Sequence, residues 1–205
     1  MHPDLVPEIL LPAYASGIFP MADENDELFW LAPDPRAIIP LDAFKVSRSL
    51  RSTVRRKVFE MTVNRAFDCV LKACAERDEG TWISGEIKEA YATLHQMGFA
   101  HSVEAWNGDE LAGGLYGVAI GGAFFGESMF HRKPDASKVA MVHLVERLCD
   151  RGFTLLDVQF TNDHLRSFGA IEIPKAEYDR RLKEAVAANT GFTDDSPRSF
   201  TRPDD

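Results

Sequence analysis

Cysteine is scarce in this chain. Only Cys69, Cys74 and Cys149 occur among 205 residues. The number is odd and no CxxC pair is present, which argues against a disulfide framework or a zinc ribbon and points to a reducing, cytoplasmic compartment. Long apolar runs are missing too. No stretch of about 18 apolar residues is available to cross a membrane, and Met1-His2-Pro3-Asp4-Leu5 is not a basic segment followed by an apolar one. Positive charge is outnumbered, 23 Lys and Arg against 32 Asp and Glu, for a formal charge of −9. That excludes a general nucleic-acid coat while leaving room for a local basic patch. The six histidines, His2, His95, His101, His131, His143 and His164, form no ligand motif. No metal and no cofactor is therefore expected. Internal repeats and low-complexity segments are also absent.

What the chain does have is a glycine-punctuated apolar ribbon, Gly113 to Phe130. It reads as a β-hairpin turning at Gly121-Gly122. Gly113, Gly114, Gly117 and Gly126 interrupt its strands, and glycine inside a strand marks a bulge or the close approach of a ligand. One carboxylate, Glu127, stands near the end of the ribbon. In apolar company it is either paired or functional, or else a strand-end acid pointing at water.

A second concentration of one residue type runs from Lys45 to Lys57. Six cations, Lys45, Arg48, Arg51, Arg55, Arg56 and Lys57, occur there without an acid. Ser47 reads as the N-cap of a helix through this run. Such a run is either a solvated helix face or a phosphate-binding surface.

The remaining pattern is mixed. A helix over Val6–Ser16 is followed by extended pieces at Ile18–Met21, Leu28–Leu31 and Ala37–Pro40, and residues 1–60 are taken as a small first domain. Phe59–Val63 reads as a strand, with Asn64 capping the helix that carries Phe67, Val70, Leu71 and Cys74. Trp82 precedes a helix over Glu86–Met97 and is either core or a stacking platform for a base. Ala100–Trp106 and the Asn107-Gly108 turn lead into the ribbon. A helix from Pro134 to Arg151 follows, with Met141, Leu144 and Leu148 in one stripe. The strand Thr154–Phe160 carries two polar residues, Asp157 and Gln159, which alternation puts on one face. They need partners or a job; a structural acid capping nearby backbone is the alternative for Asp157. Short elements at Asn162–Phe168, Ala170–Ile173 and Glu177–Ala188 close a catalytic domain of residues 61–190. Residues 191–205 are expected to be a disordered tail. The order of elements predicts an α+β fold with a mixed sheet.

Several runs in this order resemble one family. They are Ala13-Tyr14 with Gly17-Ile18-Phe19-Pro20, Trp30 with Pro33-Asp34-Pro35-Arg36, Ser47-Arg48-Ser49-Leu50, and Thr81-Trp82-Ile83. Ala100-His101-Ser102-Val103-Glu104 with Trp106 follows, then Gly113 to Phe130, Ala136-Ser137-Lys138, Asp157 with Gln159, His164-Leu165, and Gly169-Ala170 with Ile173-Pro174 and Tyr178. Together they resemble the leucyl/phenylalanyl-tRNA–protein transferases over about residues 5–185. The resemblance implies a small N-terminal domain and a C-terminal domain of the Gcn5-related acetyltransferase-like fold. It implies a monomeric cytoplasmic leucyltransferase that moves Leu or Phe, and Met less well, from aminoacyl-tRNA to proteins beginning with Arg or Lys, marking them for N-degron proteolysis. It implies Asp157 and Gln159 as catalytic residues and Trp82 as the platform for the terminal adenine; Glu127 is read beside them as the group that holds an ammonium, either the donor's α-amine or the acceptor's N-terminus. Leu115, Phe124, Met129, Met141, Leu144, Leu148 and Leu156 would form the donor pocket, with Ser128 and Trp30 as further substrate contacts. Arg48, Arg51, Arg55, Arg56 and Lys57 would meet the tRNA. A neutral carboxamide is a very poor base, so Gln159 is expected to orient the reactants, with Asp157 biasing it electrostatically. The alternatives are a CoA-dependent N-acetyltransferase, whose pyrophosphate loop is not visible before Ala136, and a non-catalytic tRNA-binding module.

Overall fold

The computed structural model describes residues 2–23, 25, 27–76 and 82–197. In chain order the elements are α1 (Pro7–Ala15), β1 (Phe19–Ala22), β2 (Leu28–Leu31), β3 (Arg36–Ile38), α2 (Arg48–Arg55), β4 (Glu60–Val63), α3 (Phe67–Ala75), α4 (Gly85–Gln96), β5 (Ala100–Asn107), β6 (Glu110–Ile120), β7 (Ala123–His131), α5 (Ala136–Asp150), β8 (Leu155–Gln159), α6 (Asp163–Ser167), β9 (Ile171–Ile173) and α7 (Lys175–Val186). No described helix is long and apolar enough to cross a membrane.

β1 and β2 form a small hairpin sheet. The other strands make one seven-stranded sheet in the order β4-β5-β6-β7-β8-β3-β9. All its neighbours are antiparallel except β7 and β8. The fold is α+β with a mixed sheet, as the order of elements predicted. Alternation along β6 and β7 sends Tyr116, Val118, Ile120, Ala123 and Phe125 to one apolar cluster, under α1, α3, α4 and α7. Leu115, Ala119 and Phe124 go to the other, under α5. The hairpin turn needs glycine. Gly121 has φ +54, and a Cβ there would lie 2.4 Å from the Val186 carbonyl oxygen. The same turn docks α7, because Gly122 N–H donates to the Ala185 carbonyl at 2.7 Å.

Three helix starts follow side-chain caps. Ser47 Oγ accepts from Leu50 N–H, Ser84 Oγ from Ile87 N–H, and Asn162 Oδ1 from Leu165 N–H. Asn64 departs from its expected role. It sits at φ +59, three residues ahead of α3, and its Oδ1 accepts from Ser102 N–H of β5 at 3.0 Å. A cross-strand partner outcompeted the local cap.

Two boundaries shift. β3 does not extend the N-terminal hairpin. It enters the large sheet between β8 and β9, with Ile39 N–H donating to the Leu156 carbonyl at 2.9 Å. Of residues 1–60, everything from β3 onward thus belongs with that sheet or its helices. At the other end, the described part of the expected disordered tail is packed. Phe192 is fully buried, and Ser196 Oγ is 3.2 Å from His101 Nε2. One large aromatic buried against Phe124 and Phe153 is enough to hold this segment down.

Candidate active site

β7 and β8 are paired only where Ala123, Phe124 and Phe125 face Leu155, Leu156 and Asp157. Beyond that they part. β7 continues with β6 to His131, while β8 continues with β3. A cavity of about 340 Å³ opens in the gap. Ligands of open sheets with parallel strands bind in such crevices, beyond the carboxyl ends of the strands. Its apolar wall is Leu115, Met129, Met141, Leu144, Leu156 and Val158. Trp82, Phe19 and Met21 also line it, and Glu127, Ser128 and Gln159 supply polar groups.

Glu127 reaches the cavity through a β-bulge. Tyr116 pairs with Ser128 and Gly117 with Gly126, so Glu127 has no partner across the strand. Gly117 permits this approach, since a Cβ there would lie 2.3 Å from the Phe125 carbonyl oxygen. The Glu127 carboxylate is held by neutral donors. Tyr14 O–H and Gln159 Nε2–H donate to Oε1 at 2.8 and 3.2 Å, and Tyr91 O–H donates to Oε2 at 3.1 Å. The two tyrosine hydroxyls also touch each other; two phenolic protons cannot serve all three contacts, so with both donated to the carboxylate this third contact carries none. No cation among the described residues forms an ion pair with Glu127. Burial pushes its pKa up to about 7, outweighing the two tyrosine bonds, which favour the charged form. Tyr14 and Tyr91 are themselves raised, first by burial and then by the Glu127 charge. This is a carboxylate with hydrogen bonds but, among the described residues, no ion pair, at the wall of an apolar cavity, with the Arg36 charge acting on it without contact.

Asp157 has the opposite surroundings. It lies wholly buried behind the cavity, in an ion pair with Arg36, whose Nη2 is 2.7 Å from Oδ2 and whose Nε is 3.0 Å from Oδ1. Tyr178 O–H donates to Oδ2 at 2.6 Å and Gln159 N–H to Oδ1 at 2.9 Å. Burial works against the Arg36 charge and Asp157 overcomes it, so the guanidinium pKa is raised. Both Asp157 oxygens are thus occupied by donors. Its bond to the Gln159 backbone holds Gln159 at φ +58, outside the strand conformation. That turn brings the Gln159 carboxamide beside Glu127. Asp157 therefore does cap nearby backbone, and through it sets the neighbour's side chain.

Of the positions singled out in the sequence, Glu127, Gln159, Ser128, Trp82, Leu115, Met129, Met141, Leu144 and Leu156 all line this one cavity. Three other expected substrate contacts do not. Phe124 and Leu148 are fully buried core residues, Phe124 on β7 against Phe192 at 5.2 Å and Leu148 one turn beyond Leu144 on α5. Trp30 sits on β2 opposite Pro20, packed on the N-terminal side of the core. Arg48, Arg51, Arg55, Arg56 and Lys57 are exposed on and just after α2, without an ion pair among the described residues. Leu50 anchors that helix to the cluster under α5. Tyr14, Arg36 and Tyr178 lay in the motif runs without a role assigned. Tyr91, inside the helix expected over Glu86–Met97, was not singled out in the sequence.

Residues 38–183 match the family described as Leucyl/phenylalanyl-tRNA protein transferase, and residues 3–34 match that family's N-terminal domain. A leucyl/phenylalanyl-tRNA–protein transferase of Rhodopseudomonas palustris strain BisB18 is 55% identical over 194 residues, covering 92% of this chain and 84% of its own. That of strain TIE-1 is 54% identical, covering 92% and 86%. Among solved structures, L-PGS from Bacillus licheniformis is similar with a TM-score of 0.44 at 15% identity, over 76% of this chain and 51% of that one.

Proposed function

The chain belongs to the leucyl/phenylalanyl-tRNA–protein transferase family, an aminoacyltransferase family that moves an amino acid from tRNA to protein, and from that premise we propose that the cavity between β7 and β8 binds the donor aminoacyl ester. The observation that carries this is the pairing of Glu127, a carboxylate with no ion pair among the described residues, with an apolar wall. An aminoacyl ester presents the same pair of groups, an α-ammonium one bond from the carbon that bears the side chain. A leucyl or phenylalanyl side chain fills the apolar half. Methionine is tolerated as well, because such a pocket cannot strongly reject a similar apolar side chain, one methylene being worth only about 1–3 kcal/mol. Trp82 stacks on the terminal adenine.

The reaction is an aminolysis. The neutral α-amine of the acceptor attacks the ester carbonyl, a C–N bond forms, and the C–O bond to the terminal ribose breaks. The proton lost by the amine ends on the departing oxygen or in solvent. Holding two reactants in register supplies several kcal/mol of the barrier. Gln159 is suited to that task. Its amide donates to Glu127, which leaves its carbonyl oxygen to accept from the attacking amine. Asp157, occupied by Arg36, Tyr178 and the Gln159 backbone, positions Gln159. The exposed cations of α2 meet the tRNA backbone.

The reading extends to acceptors that begin with Arg or Lys, and to their marking for proteolysis, by a cytoplasmic monomer. It places the large sheet with the Gcn5-related acetyltransferase-like folds, supported by the parallel β7–β8 pair that splays at the site. It keeps a small N-terminal domain, ending near β3. The test is transfer of labelled Leu from Leu-tRNA to peptides differing only in their first residue. Transfer to Arg- and Lys-started peptides is expected, and no transfer to any peptide would overturn the reading.

A further inference from the structure

A second cavity, of about 650 Å³, adjoins the first. Met129 and His164 line both. Its other walls come from the end of β7 and the first turn of α5, and include His131, Arg132, Asp135 and Lys138. Two permanent cations and two histidines thus face one carboxylate, in a protein whose formal charge is −9. Asp135 lies 3.1 Å from Lys138 Nζ, and Arg132 Nη2 is 4.0 Å from Glu76, a distant and exposed pair. The α5 terminus adds to the positive field. Its first turn contains no acid, and Asp135, in the left-handed conformation, gives no side-chain cap. His164 Nε2 is buried without a hydrogen-bond partner among the described residues. Burial, then Lys138 and His131, hold the His164 pKa below its usual value, as expected where positive charge already gathers.

The corner is rigid. Arg132 and Lys133 N–H both donate to the Ala112 carbonyl, at 2.7 and 3.1 Å. Gly113 brings β6 so close to α5 that a Cβ would lie 2.7 Å from that of Ala136. The cations are therefore mounted on a fixed frame next to the donor cavity.

We propose that this cavity holds a backbone phosphate of the single-stranded 3′ end of the aminoacyl-tRNA, one step beyond the terminal adenosine. The inference rests on the donor reading given above. A phosphate chain must leave the donor cavity from the terminal ribose, and this neighbouring space offers cations carried on a closely packed backbone. An acceptor that begins with Arg or Lys would be repelled from it. The cavity thus also assigns this side of the active site to the donor and the opposite side to the acceptor.

The experiment compares two donors, Leu-tRNA and leucyl-adenosine, which lacks phosphate. The variants are Arg132→Ala with Lys138→Ala, and Arg132→Gln with Lys138→Gln, which keeps most of each stem should the first fold poorly. Both should raise KM for Leu-tRNA several-fold and reduce the salt slope of tRNA binding by about 0.7 for each phosphate no longer neutralised. KM for leucyl-adenosine should not change. Equal losses with both donors would mean that these residues shape the donor cavity, and unchanged KM and slope with Leu-tRNA would mean that no phosphate sits there; either overturns the proposal. Wild-type protein that transfers from neither donor would refute the donor reading itself, and this inference with it.

Discussion

Glu127 is the residue on which binding and stability pull in opposite directions. Its folded-state pKa, about 7, lies above its ordinary value of 4.5. Between those values the native protein holds a proton that the unfolded chain releases, so stability falls as pH rises through the window. Glu127→Gln removes that dependence. Above pH 7 the variant should melt higher than wild type, by about 1 kcal/mol or more, one pKa unit being worth about 1.4; near pH 4.5 the difference should close. Its kcat/KM should fall by an amount worth about 2–4 kcal/mol. A melting temperature that drops at every pH would show Glu127 to be a structural partner of the tyrosines. Arg36 behaves differently. Arg36→Met strands the Asp157 carboxylate in a fully buried position and should cost about 3–5 kcal/mol in a denaturant melt; a loss under about 1 kcal/mol would contradict the pairing. Glu127, Gln159 and Trp82 were legible in the sequence because each is a polar or aromatic residue out of place in its local pattern. Tyr14 and Tyr91 were not. Each fits an apolar helix stripe, and only the fold brings hydroxyls 77 residues apart onto one carboxylate.

At the scale of elements, α2 and α5 carry separate tasks. Arg55→Ala with Arg56→Ala changes only exposed side chains and should leave melting unchanged while weakening tRNA binding and flattening its salt dependence. An unaltered slope would assign α2 no part in tRNA binding. On α5, Met141→Ala and Leu144→Ala enlarge the apolar wall and should shift donor preference toward larger side chains, at a cost of about 2–5 kcal/mol each in stability. Leu148→Ala should cost as much stability with no change in preference, because Leu148 lies in the core. The sequence showed the stripe but not where along it the cavity stops; that depends on how α5 crosses the sheet. Strands and turns were legible from alternation, from Gly121-Gly122 and from Asn107-Gly108, whose turn falls one residue later, at Gly108-Asp109; all are local signals. The misassigned Asn64 cap failed because its better partner, Ser102, is 38 residues away.

Across the whole molecule, the N-terminal segment and the large sheet meet at the active site. Tyr14 on α1 holds Glu127, and Arg36 on β3 links Asp157 to the Gly17 carbonyl at 3.0 Å. The site therefore exists only when both parts are assembled. The insertion of β3 between β8 and β9 was invisible in the sequence, since strand order is set by pairings between segments far apart in the chain. The packing of the segment around Phe192 was hidden by its polar neighbours.

Recognition of a free α-ammonium by Glu127 is the step on which the proposed chemistry depends. The direct test is the rate of transfer to one Arg-started peptide from Leu-tRNA and from N-acetyl-Leu-tRNA, with wild-type protein and with Glu127→Gln. Acetylation removes the positive charge and leaves the side chain and tRNA as they were. Wild type should strongly prefer the free amine, and the variant should lose most of that preference by slowing on Leu-tRNA alone. An equal preference in both proteins would show that Glu127 does not hold the donor's ammonium.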